Sequence, residues 1–100
     1  MLTNEKILEV FGEFLKTDPE TEVVLTSKGY IILNWCKVSN DFVSYNYCKD
    51  SEALLKGISD CFLNYHEQLA TRGKRDLLEE ESVEFEKMKD LLVSKCYEGE

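Results

Sequence analysis

Between Glu22 and Cys48, three stretches rich in β-branched and aromatic residues follow one another. Only Ser27-Lys28-Gly29 and Ser39-Asn40-Asp41 separate them. A parallel neighbour needs a crossover of about a dozen residues or more, so stretches this close must pair as antiparallel hairpins. The pattern predicts strands over 22–26, 30–38 and 42–48 in a three-stranded meander, with Gly29 free to take positive φ in the first turn. Loops of three residues pair odd positions with odd. Val23, Leu25, Ile31, Leu33, Trp35, Val43, Tyr45 and Tyr47 then share one face. Val24, Thr26, Tyr30, Ile32, Asn34, Cys36, Phe42, Ser44, Asn46 and Cys48 fall on the other. The first set buries more apolar area and is expected to form the core face.

Helical periodicity flanks the meander. Ile7, Leu8, Phe11, Phe14 and Leu15 recur at spacings of three and four and predict a helix over 4–16, capped by Thr3 or Asn4 and stopped at Asp18-Pro19. Leu54, Ile58, Cys61, Phe62, Tyr65 and Leu69 predict a second helix over 51–71, capped by Asp50 or Ser51, with Gly73 just past its end. Leu77, Leu78, Phe85, Met88, Leu91, Leu92 and Cys96 predict a third over 76–97. Glu79-Glu80-Glu81-Ser82 interrupts its face, so a kink or a restart at Ser82 is an open alternative. The end of the chain, 98–100, is expected to fray. The order α-β-β-β-α-α makes a single α+β domain over 1–100, a three-stranded antiparallel meander packed with three helices.

Catalytic and metal-binding patterns do not emerge. Cys36, Cys48, Cys61 and Cys96 form no C-x-x-C pair, and His66 is the lone histidine, so neither a metal site nor a catalytic residue is assigned. No Gly-rich phosphate loop is present, and no cofactor is expected. His66, near the margin of the apolar stripe, reads more readily as a surface histidine than as a general base. The cysteines read as free thiols in a reducing cytoplasm. The first residues lack a basic-then-apolar leader, and no apolar run is long enough for a membrane span. Lysine outnumbers arginine ten to two, a bias that suggests an AT-rich genome such as that of a low-GC bacterium or its phage.

Charge is the most informative feature. Twenty acids against twelve bases leave a net charge of −8, which argues against direct binding to nucleic acid or an anionic membrane. Glu5, Glu9 and Glu13 stand at i, i+4 and i+8. Asp76, Glu79, Glu80, Glu81, Glu84 and Glu86 crowd one segment that contains no base. Carboxylates on successive helical turns lie about 5–6 Å apart, near the spacing of phosphates along a nucleic-acid strand. Both groups are therefore candidate contacts for a protein partner with a basic surface. The alternative reading is a solvated face that keeps the chain in solution. Arg72-Gly73-Lys74-Arg75 reads as helix-end cations. Tyr30, Ile32 and Phe42, on the second sheet face, are too apolar to be left in water: either the third helix covers them or another chain does, which makes them candidate self-association residues for a homodimer.

The α-β-β-β-α-α order over residues 4–97, the small size and the acidity resemble anti-CRISPR inhibitor proteins of phages and mobile elements. No motif residue carries the likeness. The resemblance implies a DNA-mimicking inhibitor that occupies the basic groove of a CRISPR effector nuclease.

Overall fold

The computed structural model describes residues 2–98. The fraying expected for Gly99 and Glu100 therefore lies outside the described residues. The fold is α+β: helices α1 (Asn4–Val10) and α2 (Gly12–Thr17), strands β1 (Thr21–Thr26), β2 (Gly29–Cys36) and β3 (Asp41–Cys48), and helices α3 (Ser51–Thr71) and α4 (Glu79–Cys96). The strands form an open antiparallel sheet in the order β1-β2-β3. Helix α3 lies on one face of the sheet. α1 and α4 pack against α3 and against each other.

The first predicted helix is two pieces. Phe11 sits at φ −90°, ψ 7°, outside the helical well, and ends α1. Its ring is buried edge-on against Phe62, with centroids 6.1 Å apart, while Leu15 N–H still bonds to its carbonyl, so the chain bends there without unravelling. Thr3 caps α1 by accepting from Lys6 N–H, and Asp50 caps α3 by accepting from Ala53 N–H. Helix α4 is continuous and starts at Glu79 rather than 76. Asp76 belongs to the connection before it.

The first hairpin turns on two residues, not three. Thr26 pairs with Gly29, which adopts φ 127°, and the Thr26 hydroxyl donates to the Gly29 carbonyl. That one-residue difference sets Val23 opposite Ile32 and Val24 opposite Ile31. The second loop spans residues 37–40, and β2 ends at Cys36 instead of 38. A bulge lies where Asn34 pairs with Ser44 and Trp35 with Phe42, leaving Val43 extra on β3.

The core face is the opposite of the one that apolar area led us to expect. Ile32 is 1% exposed and Cys48 4%, both in one cluster with Ile7, Phe11, Phe14, Leu54, Leu55, Ile58, Phe62 and Cys96. Gly57 makes this possible. A Cβ there would stand 2.6 Å from Ile32 Cδ1 and 3.1 Å from Asn46 Nδ2, so only glycine lets α3 approach so closely. Asn34 and Ser44 bond to each other on the same side, Ser44 Oγ donating to Asn34 Oδ1.

Candidate functional site

Two surfaces stand out, and they lie on opposite sides of the molecule. The outer sheet face carries Val24, Ile31, Leu33, Tyr45 and Tyr47, with Glu22 the charged residue among them, and no helix among the described residues covers it. Tyr45 is 75% exposed, and Trp35 meets Phe42 edge-on at 4.9 Å. This face is more apolar than the inner one, which includes Asn34, Ser44 and Asn46. Apolar area alone therefore pointed to the wrong side. The self-association set changes accordingly: Ile32 is buried under α3 and Tyr30 packs against the core, so neither belongs to the open face, whereas Phe42 remains exposed at its end.

The acidic groups are only partly available. Glu81 holds Arg75 through two bonds of 2.8 and 2.9 Å, and its carboxylate also accepts from Leu78 N–H at the start of α4. These donors hold its carboxyl well below the usual range, at about 2. Arg75 also donates to the carbonyls of Ala70 and Asp76, so this pair joins the end of α3 to the start of α4. Glu81 is thus a structural residue. Glu86 pairs with Lys89 at 3.2 Å, and Lys89 also reaches Asp90 at 2.8 Å.

Asp76, Glu79, Glu80 and Glu84 remain exposed, with Glu80 and Glu84 one turn apart on α4. Glu5 and Glu9 share the exposed side of α1. Glu13 lies past the bend at Phe11, beside a cleft of about 250 Å³ that His66 also lines, and does not continue the row. Two acids that the charge pattern did not single out join the α4 group. Asp60 and Glu67, seven apart on α3, line a cleft of about 320 Å³ between α3 and α4 together with Glu86, Leu63, Leu77 and Phe85. Their spacing places both on one face of α3, a signal present in the sequence but outweighed there by the denser run after Asp76.

His66 stacks among Phe62, at 4.4 Å, Tyr65 and Phe85, and burial lowers its pKa. Burial pushes the Cys48, Cys61 and Cys96 thiols up, away from the reactive thiolate. A cleft of about 520 Å³ between the sheet and α3 is lined by Asp18, Asn34, Ser44, Cys61 and Asn64 among others. The Asp18 carboxylate is occupied there by Glu20 N–H and the Thr21 hydroxyl, and Asn34 Nδ2 by Cys61 Sγ. These bonds hold the turn before β1 and the contact between β2 and α3. No helix among the described residues is long and apolar enough to cross a membrane. No protein-family model matches the chain, and no curated protein or solved structure matches it.

Proposed function

We propose that this chain is a non-enzymatic acidic module that binds a basic surface of a nucleic-acid-binding protein and keeps nucleic acid off it. The observation that carries this reading is the set of open carboxylates on the first turns of α4: Glu79, Glu80 and Glu84 face solvent on an uninterrupted helix. Beside them the α3–α4 cleft adds Glu67 to an apolar wall of Leu63, Leu77 and Phe85, with Asp60 and Glu86 at its edge paired with Lys56 and Lys89. Such a cleft suits lysine or arginine, whose methylenes pack on apolar surface while the cationic head meets carboxylate. Glu5 and Glu9 form a second, smaller patch. The partner class implied by the resemblance is an RNA-guided nuclease, which holds its guide–target duplex in a positively charged channel. Four free thiols suit action in the cytoplasm.

The test is target-DNA cleavage by a purified guide-loaded nuclease of this class, titrated with the protein. Wild type is expected to inhibit. The double variant Glu80→Lys/Glu84→Lys, altered only at exposed positions, is expected to need on the order of tenfold more protein for the same effect. No inhibition at large molar excess, or equal inhibition by the double variant, would contradict the proposal.

A further inference from the structure

We infer that the outer sheet face is a self-association surface that seats the same face of a second copy of this chain. Three observations lead there. The first is area. The folded chain exposes 6918 Å², against roughly 5,800 Å² expected for a monomer of this mass. The surplus, about 1,100 Å² on each chain, is about twice what one such face would hide. Strands about 4.8 Å apart and rising about 3.4 Å per residue give three strands a face of about 350 Å² in projection. Two corrugated faces then bury on the order of 1,000 Å², the lower bound for a specific interface.

The second is charge. Each copy carries −8, so two copies can meet only where carboxylates are sparse. The three strands contain no lysine or arginine and just two acids, Glu22 and Asp41. The helices carry most of the remaining acids and lie on the other side of the sheet. A partner chosen by charge attraction belongs on the helices; an acidic partner is tolerated only on the sheet. The third is chemistry. Val24, Ile31, Leu33, Tyr45 and Tyr47 are β-branched, aliphatic and aromatic side chains of the kind that interdigitate between two stacked sheets. A two-fold pairing of this kind is closed and isologous and points both acidic helical layers outward.

Sedimentation equilibrium of the full chain tests this, over about 1–300 µM, where an interface near this lower bound associates. The expected result is a mass climbing toward two chains. Tyr45→Lys is expected to raise the dissociation constant by about tenfold or more by placing a cation in the interface. Val24→Lys is a second probe of the same face. Leu91→Lys, at a 65% exposed apolar position on α4, is expected to leave the dimer intact. Added salt should strengthen the dimer by screening like-charged copies, whereas it should weaken attachment to a basic partner. A single-chain mass throughout would overturn the inference, as would a dimer that tolerates Tyr45→Lys and Val24→Lys or one that Leu91→Lys breaks. Glu80→Lys/Glu84→Lys should still dimerise, so failure here and failure of the inhibitory reading are separable.

Discussion

Glu81 shows how one side chain can look like a contact residue and serve another purpose. It sits in the middle of an acidic run, yet it holds Arg75 and the Leu78 N–H and so fixes how α4 leaves the loop. A carboxyl depressed from about 4.5 to about 2 contributes stability that is full above the ordinary value and disappears as the pH falls through the lower one. Wild type should therefore be more stable than Glu81→Gln at pH 6, with the gap in urea midpoint narrowing as the pH is lowered from about 5 toward 2. A gap that stays constant over that range would mean that the carboxylate makes no special bond in the fold. His66 is the other residue whose chemistry is absorbed by structure. Its ring is a fourth aromatic beside Phe62, Tyr65 and Phe85, and lowering its pKa keeps it neutral where it packs.

At the scale of elements, the sequence is most legible where one stripe serves one helix. Leu54, Ile58 and Phe62 of α3 are buried as their spacing requires, and Asp50 caps the helix. The three strands and their order follow from short, turn-like connections. What could not be read is which side of the sheet α3 would choose. Both faces are apolar enough to bury, and the close approach of α3 to the inner face depends on Gly57, which lies on the helix rather than the sheet. A second glycine, Gly29, has a positive φ that allows a two-residue turn and moves β1 by one position against β2. Truncation tests the result. Ile32→Ala should cost about 2–5 kcal/mol because it opens a cavity under α3. Tyr45→Ala, on the opposite face and 75% exposed, should fall within about 0.5 kcal/mol of wild type in the monomer. Denaturant unfolding at low concentration measures both, and the reverse order would mean that the helices cover the face of Tyr45 rather than that of Ile32.

The whole molecule is flat, with Cα extents of 40 × 32 × 19 Å, and its two broad sides differ in kind. One is an apolar sheet without lysine or arginine in its strands; the other is helical and strongly acidic. The acidity was legible in the sequence, but its availability was not. Glu81, Glu86 and Asp60 are engaged by Arg75, Lys89 and Lys56, while Glu67 enters the site from α3 through folding alone. The account thus rests on the open carboxylates of α4 competing with phosphate for a basic surface, and salt reads that competition directly. The measurement is the affinity of the protein for a purified guide-loaded nuclease over a series of potassium chloride concentrations. The account predicts an affinity that falls steadily with salt, and a shallower fall for Glu80→Lys/Glu84→Lys. An affinity indifferent to salt, or the same slope for wild type and the double variant, would contradict it.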